Sequence, residues 1–139
     1  EAYTLFTNGG RVHPLTAIQR VDTPDRQWRP DVASLTRVAR ADTTFLVTNM
    51  MRGVLDEGTA AGARAAGFTL DAAGKTGTTN DLRDAWFVGF TPELLTVVWV
   101  GFDNNETIGL TGTQAALPIW TSFMNAALAG ATEHQLRGA

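Results

Sequence analysis

Cysteine is absent from this chain, lysine occurs once and serine twice in 139 residues. Without a thiol, a disulfide framework and a cysteine-ligated metal centre are both excluded, while an oxidising compartment stays compatible. The two histidines, His13 and His134, lie far apart with no ligand spacing between them, so neither a metal nor a cofactor is expected. Basic residues number 11 against 14 acidic ones and form no cluster, which argues against nucleic acid as a partner. No apolar run approaches the roughly 18 residues of a membrane span, and no secretory leader pattern is present.

What is present reads as one globular domain: 44% of residues are hydrophobic and 18% charged. Residues 2–8 (Tyr3, Leu5, Phe6) suggest a short helix stopped by Gly9-Gly10. The chain opens inside that pattern, so a longer parent is expected. Pro14 to Val21 is strand-like and broken by Thr23-Pro24-Asp25, with a second short strand at Gln27-Trp28 able to pair back across the turn. Residues 42–57 form the clearest helix, capped by Asp42 or Thr43, with Phe45, Leu46, Met50, Val54 and Leu55 as its apolar stripe and the methionine pair, Met50 and Met51, filling core. Ala60 to Ala66 adds a helical turn or two. Gln114 to Ala129 is a second amphipathic helix (Leu117, Trp120, Phe123, Met124, Ala127, Leu128), with Pro118 near its first turn. Residues 132–139 read as a frayed tail.

Between these helices lies the stretch around which the rest is organised, Ala73-Gly74-Lys75-Thr76-Gly77-Thr78-Thr79-Asn80-Asp81. It is approached by a strand-like Phe68-Thr69-Leu70. Two aromatic and β-branched runs follow, 85–90 and 94–102, joined by Thr91-Pro92-Glu93 in a tight hairpin. Trp86 and Trp99 are expected in the core, and Asp81, Arg83 and Asp84 as salt-bridged hairpin ends, with a cleft rim as the alternative. Asp103 to Glu106 lacks calcium-loop spacing and reads as a solvated turn. Glycines beside the sole lysine permit close backbone approach to a ligand. Threonines add hydroxyl donors, so the stretch suits a carboxylate or another anion; the alternative is a solvated surface lysine. A phosphate loop needs glycine where Thr69 stands and a helix after the motif, and it has neither. Three strands after a helical half, closed by a helix, give an α+β fold with an antiparallel sheet covered by helices.

Lys75-Thr76-Gly77-Thr78 resembles the K-T-G box of penicillin-binding transpeptidases and serine β-lactamases. The longer run AGKTGTTNDLRDAWFVGFTPELLTVVWVGFD is similar to the third to fifth sheet strands of class A, bifunctional penicillin-binding proteins. Tyr3 to Gly10, Pro14 to Val21 and Ala115 to Trp120 resemble flanking segments of that domain in the same order. The β-lactamase branch fits less well, because the aromatic hairpin and the A-L-P-I-W helix resemble the biosynthetic enzymes. The resemblance implies the penicillin-binding transpeptidase fold and places the active site along the K-T-G strand.

The resemblance further implies that residues 1–139 are the C-terminal part of a transpeptidase domain. Its parent would cross-link peptidoglycan stem peptides through a serine acyl-enzyme and be acylated by β-lactams, outside the cytoplasmic membrane and anchored to it. Lys75 would orient the substrate carboxylate and assist proton transfer, Thr76 and Thr78 would hydrogen-bond that carboxylate, and the Thr78 N–H would form half of the oxyanion hole. Gly77 would let the substrate backbone lie against the strand. The family's nucleophile stands in a Ser-x-x-Lys box, which a chain with a single lysine preceded three residues earlier by Ala72 does not contain. Ser34 and Ser122 lack asparagine two residues on, so the Ser-x-Asn box is missing too. Both boxes precede a segment like Tyr3–Gly10 in the family, so this chain is expected to start just after them and to be inactive alone, with the missing N-terminal half as a possible partner. Two other readings stand beside this one: a non-catalytic module binding peptide carboxylates or a partner strand, and a structural fragment exposing a sheet edge and apolar faces.

Overall fold

The structure is a computed structural model and describes residues 1–31, 34–131, 134 and 136. In chain order these form α1 (Thr4–Thr7), β1 (Arg11–Val12), β2 (Val21–Asp22), β3 (Gln27–Trp28), β4 (Thr36–Arg37), α2 (Ala41–Asp56) and α3 (Gly62–Ala65). β5 (Ala73–Thr78), a short 3-10 turn (Asn80–Leu82), β6 (Asp84–Phe90), β7 (Leu95–Gly101) and α4 (Ala116–Ala127) complete them. β5, β6 and β7 make an antiparallel sheet in that order, and two small ladders, β1–β4 and β2–β3, stand apart from it. This is the α+β architecture expected, with helices packed on an antiparallel sheet.

The sheet follows the two-residue period of its side chains. Phe87 turns toward Leu55, Leu117, Trp120 and Met124 in the main core, where Trp120 packs edge-on against both Phe68 and Phe87 at ring separations of 5.0 Å. Phe90 turns to the other face and joins Met51, Ala73 and Leu136, with Phe6 stacked on it at 6.2 Å. Gly74 and Gly89 are partners across the β5–β6 ladder. A Cβ on Gly74 would meet Phe87 Cζ at 2.7 Å, and one on Gly89 would meet Trp120 Cζ2 at 2.5 Å. The two aromatic rings fill the space these missing side chains leave.

Several expectations change. The strand over Pro14–Val21 contracts to Val21–Asp22, which does pair with Gln27–Trp28 across the turn. Phe68 to Leu70 forms no strand; the run begins at Ala73. In α2 the buried row is Thr44, Thr48, Met51 and Leu55, while Leu46 and Met50 are 62% and 74% exposed. The two threonines reach the interior because each hydroxyl donates to a carbonyl one turn back, Thr44 to Arg40 at 2.8 Å and Thr48 to Thr44 at 2.9 Å. The helix is thereby rotated from the stripe that counting apolar residues selects. Neither Asp42 nor Thr43 caps it: Arg40 holds the cap position, and Asp42 sits in the first turn. Phe123 and Ala127 of α4 face outward, whereas Leu117, Trp120 and Met124 are buried. Of the tail, 132, 133, 135 and 137–139 lie outside the described residues. Leu136 is buried, and its N–H donates to Asp71 Oδ2 at 2.7 Å.

Candidate functional site

β5 carries Lys75, Thr76, Gly77 and Thr78 at the border of the three-stranded sheet, paired with β6 alone among the described strands. The ladder sets which backbone groups stay open. Thr79 N–H donates to the Asp84 carbonyl at 3.1 Å. In an antiparallel pair, backbone polar groups alternate between the two sides. Lys75 and Gly77 therefore turn theirs into β6, and Thr76 and Thr78 present N–H and C=O to the free edge. The Lys75 ammonium agrees with that direction, donating to the Thr76 carbonyl at 2.7 Å. A cation, two backbone donors and two hydroxyls thus share one edge, and an extended chain with a carboxylate is a ligand that such an edge can pair with and neutralise.

Three residues that sequence reasoning missed hold these hydroxyls. Thr76 Oγ1 lies 3.2 Å from Thr59 Oγ1, just past the end of α2. The Thr59 carbonyl accepts from Thr113 Oγ1 at 3.3 Å, and Gly112 N–H donates to Thr78 Oγ1 at 3.1 Å. Thr59 follows Gly58, and 112–113 lies in a loop 34 residues from Thr78, so no local spacing signals either contact. The same loop clamps the β5–β6 connection. Thr107 Oγ1 donates to the Asp81 carbonyl at 2.7 Å, and Ile108 N–H to the Leu82 carbonyl at 2.9 Å. Asp81 and Leu82 hold positive φ of 60° and 51°, which those bonds help to sustain.

Around the site, the two glycines differ in task. Gly74 is buried and serves the core, contrary to the ligand-approach reading; Gly77 is half-buried, with a built Cβ 3.2 Å from Trp86 Cβ. Trp86 and Trp99 are not core residues: they are 40% and 43% exposed and lean on each other at 6.1 Å. The reason is the alternation that sends Phe87 and Val98 to the helices and their neighbours away from them. Trp99 Nε1 donates to Asp84 Oδ1 at 2.8 Å, and Thr79 Oγ1 donates to Asp84 Oδ2 at 3.1 Å. Of the expected hairpin-end ion pairs, Arg83–Asp81 forms at 3.6 Å, whereas Asp84 is taken by these neutral donors. Ser34 and Ser122 are exposed and neither is bonded to the site. Among the described residues no group of three His, Cys, Asp or Glu side chains is placed to hold a metal ion, and no helix is long and apolar enough to cross a membrane.

The chain as a whole is similar to known proteins. The family model described as the penicillin binding protein transpeptidase domain matches residues 1–125. Penicillin-binding protein 1A of Neisseria gonorrhoeae is 41% identical over 138 residues, covering 94% of this chain and 17% of that protein. The protein of the same name from Aquifex aeolicus is 40% identical over 126 residues, 88% of this chain and again 17% of its relative. Penicillin-Binding Protein 1A from Haemophilus influenzae has a similar fold, with a TM-score of 0.80 at 24% identity over 98% of this chain and 26% of that one. The D,D-transpeptidase domain of a peptidoglycan glycosyltransferase from Eggerthella lenta superposes with a TM-score of 0.56 at 28% identity, over 90% of this chain and 31% of that one. The chain thus spans about a sixth of the length of the curated relatives it matches.

Proposed function

Because this chain belongs to the penicillin-binding protein transpeptidase family, we propose that it forms the K-T-G wall of a peptidoglycan D,D-transpeptidase site. The protein that carries it cross-links stem peptides outside the cytoplasmic membrane, to which it is anchored, through a serine acyl-enzyme that β-lactams also form. The nucleophilic serine belongs to another part of that protein, since residues 1–139 have no Ser-x-x-Lys box. In this reading residues 1–139 are the C-terminal part of the domain and pack against its nucleophile-bearing half.

The observation that carries the reading is the open edge of β5, where Lys75 and the outward backbone groups of Thr76 and Thr78 lie together. The stem peptide adds as a strand along that edge. Lys75 supplies the positive potential that orients its terminal carboxylate, and the Thr76 and Thr78 hydroxyls donate to it. The Thr78 N–H supplies one donor for the oxyanion that develops as the serine attacks the D-Ala carbonyl.

The test is acylation of the intact protein by a labelled penicillin, read by mass after digestion. The adduct is expected outside residues 1–139, and Lys75→Ala is expected to slow acylation on the order of a hundredfold. Near-normal acylation of that variant refutes the role of Lys75. Tight binding of a D-Ala-D-Ala peptide with no adduct anywhere favours a carboxylate-binding module instead.

A further inference from the structure

The Thr78 hydroxyl has one hydrogen to give and two lone pairs to receive with. Gly112 N–H fills one lone pair at 3.1 Å, and among the described residues nothing accepts the hydroxyl's own hydrogen. A hydroxyl whose acceptor side is engaged by a backbone N–H is polarised toward donating, and its free rotation is restricted. Thr76 Oγ1 lies 3.2 Å from Thr59 Oγ1, a pair in which either hydroxyl can donate, and the Thr59 carbonyl is held by Thr113, the residue after Gly112.

Gly112 makes this possible by having no side chain. A Cβ there would lie 2.5 Å from the Trp86 carbonyl oxygen and 2.6 Å from that of Gly77, both backbone atoms of the β5–β6 ladder that cannot step aside. The loop therefore rests directly on the ladder at the level of Gly77. It is fixed upstream by the Thr107 and Ile108 bonds to Asp81 and Leu82, and downstream by the turn that leads into α4, where Ala116 N–H donates to the Gly112 carbonyl at 3.0 Å.

We propose that Gly112, backed by Thr113 through its bond to the Thr59 carbonyl, is a positioning residue that sets the Thr78 hydroxyl as a donor to the carboxylate of the ligand on the β5 edge. The inference rests on the carboxylate-binding role of that edge. No proton is transferred in this step; the loop fixes which way the Thr78 hydroxyl hydrogen points before the ligand arrives.

The test compares acylation of the intact protein by a penicillin and by its carboxylate methyl ester, expressed as the acid-to-ester rate ratio. Thr78→Val establishes the ratio lost when the hydroxyl is gone. Gly112→Ala is expected to lower the same ratio about tenfold, the scale of one charge-assisted hydrogen bond. Adding Thr78→Val to it lowers the ratio little further. Thr113→Val, which removes only a hydroxyl and keeps the glycine, is expected to lower the ratio about two- to threefold; it guards against a Gly112→Ala chain that fails to fold. If Thr78→Val lowers the ratio but neither loop variant does, or if they slow acid and ester equally, the positioning role is refuted while the carboxylate role stands. If Lys75→Ala and Thr78→Val both leave the ratio untouched, the carboxylate role itself falls.

Discussion

Replacing Gly89 by alanine tests the packing that holds the Lys75 strand in place. The added Cβ would sit 2.5 Å from Trp120 Cζ2, 2.6 Å from its Cε2 and 2.8 Å from Phe87 Cε1. Carbon atoms pack best at about 3.5–4.0 Å, so a full ångström must be found. Trp120 has little room to yield: it is fully buried, gripped between Phe68 and Phe87, and donates Nε1 to the Gly89 carbonyl at 3.2 Å. Overpacking of this kind costs about 1–3 kcal/mol, and stranding the buried indole N–H adds roughly 1 kcal/mol or more. A loss of about 2–4 kcal/mol is expected, or a fall of roughly 1–3 M in the urea midpoint followed by circular dichroism. Trp120→Leu removes both clashing ring atoms, so the double variant should be more stable than the sum of the singles predicts by about 1 kcal/mol or more. A Gly89→Ala midpoint within error of the parent, or strict additivity with Trp120→Leu, would refute this packing.

The two methionines of α2 should separate: Met51→Ala is expected to cost about 2–3 kcal/mol and Met50→Ala less than about 0.5 kcal/mol in the same titration; equal losses would contradict a helix phase that buries one and exposes the other. Asp71 accepts from Arg52 and from the Leu136 N–H in a partly buried position. Asp71→Ala is expected to cost about 1–3 kcal/mol, and a silent substitution would mean that this contact does not form in solution. Burial works to raise the Glu93 carboxyl, but the bonds from His134 and Thr91 and its own backbone N–H outweigh burial and hold it below the ordinary glutamate value. A lowered carboxylate stabilises the fold above the unfolded value of about 4.3, and that share is lost as pH falls through the folded value. His134→Ala should therefore lose stability at pH 6 and lose less at pH 3; a difference that grows on acidification would reverse the sign and refute the pairing.

How much of this was legible in the sequence differs from element to element. The β6–β7 hairpin was, because alternation of aromatic and β-branched residues is a local signal that a turn at Thr91-Pro92-Glu93 interrupts cleanly. The position of α2 was legible but its rotation was not, since a threonine that bonds its own helix packs as an apolar residue while still counting as polar. Lys75, Thr76, Gly77 and Thr78 could be singled out together because they adjoin in the chain, and they lie on the border strand β5. Thr59, Gly112 and Thr113 were out of reach, because their contacts join segments 17 to 54 residues apart through a single bond each. Gly74 was misread for a related reason: a glycine kept free for a ligand and one kept free for a phenylalanine ring look the same in one dimension.

The parity of β5 ties these observations together. Ala73, Lys75 and Gly77 spend their backbone groups on β6 and point their side chains, where they have them, to the face of Phe90 and Trp86. Gly74, Thr76 and Thr78 keep their backbone groups for the open edge and turn the other way, to Leu55, Thr59 and Gly112. A register slip of one residue would exchange the two sets. It would drive the threonine backbone into β6 and put Lys75 where Leu55 and Phe87 now close the core. The aromatic rings seated on Gly74 and Gly89 oppose that slip, because a shift of one residue brings Ala73 or Lys75, each with a side chain, to the place Gly74 leaves open. An open edge is also a hazard, since it can template pairing with any extended chain. A single ammonium folded onto the Thr76 carbonyl charges that edge, so neutral strands meet a cation they cannot match, whereas a chain that ends in a carboxylate meets its counter-ion.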